Sequence, residues 1–342
     1  MRVALVIPLV LIGQALGLGI QWGFVAYYPV GEVGVKCSAE LGDRVVVVAR
    51  LGARDVLQVL DGGSGRLLNM TYVNTTASCA VAGDVLYVVE NRYFAWSLAA
   101  YGPSLNPLAR VDINPGVSPE ASVAIVADSR LGVYIIATWI GHVYIERRDA
   151  SNLTILATLK LDNCSVRSAG INPATGDLWL VGASHEPIIE ISNGRGYFTT
   201  GISRWCVVAA SWNLGEYRRI DLGLFGEARG LAFDEEGNVY IVGDGMAKLR
   251  PDGGVWELRY VDGDVVIYRA GRVYVINKRT GLYIVFDRWL REIGGGWVLN
   301  GLALATVVPG RRALTPLQIA TGSTTYLHCR KMPPASYASW ER

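Results

Sequence analysis

The residues able to do chemistry are few and scattered. Three histidines, His142, His185 and His328, stand too far apart in the chain for a local metal site. His142 opens a strand-like run, and His185-Glu186-Pro187 reads as a strand-to-strand turn. No G-x-S-x-G elbow marks a nucleophilic serine, although a Ser-His-Asp set can assemble through space. Gly62-Gly63-Ser64-Gly65 and Gly294-Gly295-Gly296 lack the Lys-Ser/Thr of a phosphate loop and any helix after it, so both read as turns. The five cysteines, Cys37, Cys79, Cys164, Cys206 and Cys329, form no CxxC or CxxCH, which argues against zinc ribbons, thioredoxin chemistry and covalent haem.

What remains is loop oxygen and aromatic surface. The run Asp234-Glu235-Glu236-Gly237-Asn238 has the oxygen ligands a calcium loop needs, and the same residues serve plain turn chemistry. Calcium is therefore the one cofactor the sequence leaves open. Ten tryptophans, Trp96, Trp139 and Trp256 among them, suit packing between sheets, and a few suit a sugar- or peptide-binding rim.

The elements that would position these groups are short strands. Arg229 to Tyr260 reads as four strands in about thirty residues, the size of one propeller blade. Val239-Tyr240-Ile241-Val242 is apolar throughout, as a strand covered on both faces should be, and Val255-Trp256-Glu257-Leu258 alternates like an exposed outer strand. Similar units run from Cys37, from near Thr76, through SVAIVAD and GVYIIATW, through SVRSAGINPATGDLWLVG with PIIEI, and from DGDVVIYR to REI. Residues 197–222 fit less well and read as a shortened unit or an insertion. The expected fold is all-β, a propeller of four-stranded antiparallel blades, about seven in number with six to eight possible. No stretch beyond the N-terminus makes a convincing amphipathic helix.

Composition sets the address. Half of the 342 residues are apolar, only 18% are charged, and the net charge of +2 leaves no broad footprint for nucleic acid. The chain has 27 Arg, 5 Lys and only 4 Gln, a bias that fits a hot environment or the composition of the genome. Residues 3–20 are uncharged, and Ala15-Leu16-Gly17 is a small-x-small site for a signal peptidase. The expected organisation is a signal peptide over 1–17, a single propeller over 18–330 and a loose tail over 331–342. A retained membrane anchor is the competing reading of the first segment. Sequons at Asn69, Asn74, Asn152 and Asn163 agree with export to a glycosylated surface, secreted or held at the cell.

Closure of the ring is expected from QWGFVAYY (residues 21–28), pairing with the unit built from Trp297 to Cys329 and removing an open edge. That arrangement makes Cys37–Cys329 the first choice of disulfide and Cys164–Cys206 the second, with Cys79 a free buried thiol.

Several units resemble a known family. Asp149-Ala-Ser-Asn-Leu-Thr-Ile-Leu-Ala-Thr-Leu resembles the YVTN-type surface propeller repeat of bacteria and archaea. Asn172-Pro-Ala-Thr-Gly-Asp, Asp61-Gly-Gly-Ser-Gly-Arg and Asn277-Lys-Arg-Thr-Gly resemble the turn shared by YVTN and quinoprotein-like repeats, and residues 229–253 are similar to the NHL repeat. The resemblance covers most of residues 36–295. The quinone-dependent enzymes it brings in carry vicinal cysteines or repeated Trp motifs, and this chain has neither. The calcium-dependent lactonase relatives use a Glu, two Asn and an Asp about the axis, a set that would be drawn here from Glu120, Asn172 and Asp234. The expected function is an exported, non-enzymatic propeller binding an extracellular protein or glycan through loops at one mouth. The alternative is a metal-dependent hydrolase or lyase with an axial active site.

Overall fold

The computed structural model describes residues 6–9, 23–26, 35–51, 54–62, 64–92, 95–114, 117–118, 120–139, 141–185, 188–192, 195–199, 203–297, 304–307 and 314–317. Within them the fold is a β-propeller built from six four-stranded antiparallel sheets, each a simple meander. Blade one comprises Val35–Leu41, Arg44–Leu51, Arg54–Asp61 and Leu67–Val73, and blade two Thr75–Ala82, Val85–Arg92, Ala95–Tyr101 and Pro107–Asp112. Blade three follows with Ser122–Asp128, Gly132–Trp139, His142–Arg148 and Ile155–Leu161. Blade four is Ser165–Ile171, Leu178–His185, Ser203–Ala210 and Tyr217–Arg219. Blade five is Ala228–Phe233, Val239–Gly243, Met246–Leu249 and Val255–Arg259, and blade six Val265–Arg269, Arg272–Ile276, Leu282–Asp287 and Glu292–Trp297. The first strand of each blade lies beside the first strand of the next, so these strands line a common axis. Fourth strands lie outermost and are largely exposed.

There is no single core. Five apolar clusters each fill the space between two successive blades, which is why second and third strands are apolar on both faces. Four of the outer turns, between third and fourth strands, also drive a leucine into these clusters: Leu105, Leu153, Leu214 and Leu290. Each has φ near +60° and is no more than 6% exposed. The left-handed conformation costs an L-residue about 1–2 kcal/mol. Full burial of a leucine offsets that at about 1.5–3 kcal/mol.

Blade-to-blade registration is polar. A donor in each of blades one to five reaches the carbonyl of the second residue of the outer turn in the next. Arg44 Nη1 donates to Pro103 O at 3.0 Å, Tyr87 Oη to Ala150 O at 2.7 Å, Tyr134 Oη to Trp212 O at 2.5 Å and Arg218 Nη2 to Pro251 O at 2.8 Å. At the last described junction Lys248 Nζ donates to Arg288 O at 2.7 Å, and Tyr240 Oη, 3.2 Å from the same carbonyl, divides its one proton between it and Asp234 Oδ2 at 3.1 Å.

Three expectations are corrected. The described part of QWGFVAYY, Gly23–Ala26, pairs with Val6–Leu9, and Leu304–Val307 pairs with Leu314–Leu317. Among the described residues the N-terminal strand therefore does not complete a C-terminal blade; a nearby partner closes a shorter loop at lower entropic cost. Cys37 is bridged to Cys79, not to Cys329, so Cys79 is no free thiol. Both cysteines sit on first strands of successive blades, the strands that meet at the axis, with Cα atoms 5.8 Å apart. Finally, PIIEI is not a blade strand. Ile188–Ser192 and Arg195–Thr199 form a separate hairpin inserted between the second and third strands of blade four.

That insertion explains how Cys164 meets Cys206, which lies on the third strand of the same blade. Gly182 pairs with Val166 on one side and Cys206 on the other, and the chain entering the blade passes close over it. A Cβ at Gly182 would stand 1.9 Å from Ser165 O.

Two substitutions test these devices. Gly182→Ala should lower stability by about 1–3 kcal/mol, the usual cost of forcing atoms into a filled site. Tyr134→Phe should cost about 1 kcal/mol by leaving Trp212 O without its donor. Urea-unfolding midpoints measure both.

Candidate functional site

The group of side chains best suited to binding lies between blades five and six, on the face that carries the first-to-second and third-to-fourth turns. Asp234, Glu235, Glu236, Lys248, Trp256, Tyr268, Arg288 and Trp289 line it. The turn 234–238 shapes one wall. Asp234 accepts from the backbone of Glu236 and Asn238 at 3.1 and 2.8 Å, from Asn238 Nδ2 at 2.8 Å and from Tyr240 Oη at 3.1 Å. Its carboxylate is spent on closing the turn, and Gly237 at φ 82° completes it.

Lys248 forms the floor. Its Nζ lies 4.1 Å from the ring centre of Trp256 and 5.3 Å from that of Tyr240. Burial holds the amine below its usual range, against the pull of Asp234 and Glu236. Trp256 is presented by a β-bulge: Lys248 pairs with Glu257 and Leu249 with Val255, leaving Trp256 as the extra residue. One face of its ring rests on Lys248 and the side chain is 51% exposed.

The opposite wall is the outer turn of blade six. Asp287 Oδ1 accepts from the backbone of Trp289 and Arg291, both at 2.9 Å, and buried Leu290 anchors the loop. Trp289 is thereby held 49% exposed, with the Arg288 and Arg291 guanidinium carbons 4.5 and 5.1 Å from its ring centre. Tyr268 stacks on Tyr240 at 5.6 Å; burial, and then Glu235, which accepts its hydroxyl, push that phenol up to about 12. The enclosed space is about 90 Å³, well under the roughly 300 Å³ at which pockets that swallow a small molecule begin. A ligand would lie across this cleft.

The other candidates take structural places. Asn172 Nδ2 donates to Gly237 O at 2.7 Å, joining the inner turns of blades four and five. Glu120 lies in the linker entering blade three, at the opposite end of the strands, so Glu120, Asn172 and Asp234 are not brought together. His142 is an exposed surface residue whose Nδ1 is 2.7 Å from Asp162 Oδ1. The side chain of His185, and His328 altogether, lie outside the described residues. Among the described residues no group of three or more His, Cys, Asp or Glu is placed to hold a metal ion. Trp96 is buried as packing, as are Trp179 and Trp205.

The sequons differ in exposure. Asn152 is exposed in an outer turn, where its Oδ1 accepts from Thr154 N and Oγ1 at 2.9 and 2.8 Å. Asn69 is exposed and donates to Ser104 O at 2.8 Å; Asn163 is exposed beside bridged Cys164. Asn74 is committed to fully buried Glu90, donating to Oε2 at 2.8 Å. Glycopeptide mapping should therefore find Asn152 the most occupied and Asn74 the least.

Two carboxyls, half-buried Glu40 and buried Glu90, respond to pH in opposite senses. Burial pushes Glu40, on the first strand of blade one, up to about 7, with Arg269 pulling it part of the way down. Burial also acts to raise Glu90, but hydrogen bonds from Arg110 and Asn74, the Arg110 charge and Tyr101 Oη outweigh it and hold Glu90 below the usual range. Stability from a depressed carboxyl is present above its unfolded value near 4.5 and is lost as pH falls through the folded one. Glu90→Gln should therefore lower stability at neutral pH and shrink the loss on acidification, read from unfolding midpoints at neutral pH and well below the carboxylate range.

No protein-family model matches the chain, and no curated protein does. Among solved structures it is similar to hydrazine synthase of Kuenenia stuttgartiensis, at 12% identity over 79% of this chain and 100% of that one, with a TM-score of 0.48. It is similar to BamB of Moraxella catarrhalis at 14% identity, over 71% of this chain and 82% of that one, with a TM-score of 0.42. A protein of unknown function from Bacteroides caccae aligns at 12% identity over 64% of this chain and 73% of that one, with a TM-score of 0.39.

Proposed function

We propose that this chain is an exported β-propeller of YVTN-, NHL- or quinoprotein-like type that binds a protein or glycan at the cell surface and performs no chemistry on it. The observation that carries this reading is the pair of half-exposed rings, Trp256 and Trp289, held on opposite walls of a shallow polar cleft. Rings fixed by a bulge and by a leucine-anchored turn lose little freedom on binding, which favours recognition. Two disulfides suit an oxidising compartment.

The test uses the full chain and envelope material from its own source. Wild-type protein should co-sediment with that material, Trp256→Ala should be retained several-fold less, and purified protein should hold no stoichiometric divalent metal. Equal retention of the variant, or hydrolysis products released from the envelope, would overturn the reading.

A further inference from the structure

The cleft between blades five and six also carries information about ligand class, an inference that rests on the binding reading above. Its charges nearly cancel: Asp234, Glu235, Glu236 and Asp287 face Lys248, Arg288 and Arg291 within one cluster. Asp234 is consumed by its turn, Glu235 accepts the Tyr268 hydroxyl, Asp287 is consumed by its own turn and Arg291, and Lys248 by Arg288 O. The charged pair left facing the cleft is Glu236, 67% exposed with one long donor from Asn238 Nδ2 at 3.3 Å, and Arg288, 51% exposed, the two 3.8 Å apart. One offers acceptors and the other donors.

A cation placed on Trp256 would meet a ring already backed by Lys248 at 4.1 Å. An anion placed beside Arg288 would meet Glu236. Neither sign of ion is favoured. A hydroxyl both donates and accepts, so adjacent hydroxyls can bridge Glu236 and Arg288 at once. The exposed rings supply flat apolar faces of the kind that cover the C–H face of a sugar. The small enclosed space admits an edge or a substituent while the rest of the ligand lies on the rings.

We infer that the cleft bounded by Trp256, Trp289, Glu236 and Arg288 is a binding site for a neutral saccharide, laid on the two indoles with vicinal hydroxyls across the Glu236–Arg288 pair. Glycan, not peptide, is then the ligand that this face reads.

Full-length protein should be titrated with neutral methyl glycosides of hexoses and N-acetylhexosamines, following ligand-observed saturation-transfer NMR and tryptophan fluorescence. At least one glycoside should give a saturable response. Trp256→Ala should weaken it about tenfold, while Trp256→Phe should keep most of it and control for folding. Glu236→Gln should weaken binding several-fold without moving the unfolding midpoint. Binding unchanged in Trp256→Ala would overturn the site. If no glycoside binds but envelope retention depends on Trp256 and is destroyed by protease and not by periodate, the ligand class is wrong while the binding reading stands. If retention also fails, both fall.

Discussion

The molecule depends on one repeated hydrogen bond, from each of blades one to five to the outer turn of the next. Apolar clusters between blades supply most of the cohesion, but they are poor at fixing angle and register. A tyrosine hydroxyl or guanidinium aimed at one carbonyl has a direction, and the tight turn around that carbonyl is itself pinned by a buried leucine or a glycine. The sequence positions that make the contact are not alike. Tyr87, Tyr134 and Tyr240 come from second strands, while Arg218 comes from the fourth strand of blade four, where Trp179 fills the tyrosine's place. Geometry is kept while chemistry varies.

The candidate site grows out of the last of these contacts. Lys248 and Tyr240 both hold Arg288 O, so the loop bearing Arg288 and Trp289 is tied to the wall bearing Trp256. The rings thus stand on rigid elements of two blades, and their separation is set by the same bonds that register the blades.

Much of the architecture was legible because a meander of short strands repeats two simple signals, β-rich apolar runs and Asp/Asn/Gly turns. The unit at 229–260 is one blade with its four strands in the expected order. The three turns that look alike in sequence are not alike in place: Asn172 joins first to second strand, Asn277 second to third, and Asp61 third to fourth. A turn sequence specifies backbone shape and not position in the blade. The outer turns with leucine at positive φ escaped notice because leucine carries no turn signal; only burial makes that conformation favourable. The Cys37–Cys79 bridge did have a signal, since the two cysteines fall in the same phase of consecutive units. In a propeller equal phase on first strands means proximity, whereas the expected closure of the ring by residues 21–28 pointed to the distant partner. Trp256 was visible as an outer-strand residue, but its neighbours Arg288 and Trp289 come from another blade, and no local pattern joins them.

The donor-to-outer-turn bonds all reach a single face. The opposite face holds the second-to-third turns and the linkers, and none of these carbonyl contacts falls there. That face has interblade contacts of its own, Thr76 N to Asp55 and Arg229 to Gly263 O among them, but a second-to-third connection can lengthen without breaking the outer-turn bonds. Blade four displays the outcome: the hairpin Ile188–Thr199 interrupts a second-to-third connection while the flanking strands stay paired from Leu178–Ala210 to His185–Ser203. A second-to-third connection is thus a place where new segments can be grafted by evolution or by an engineer.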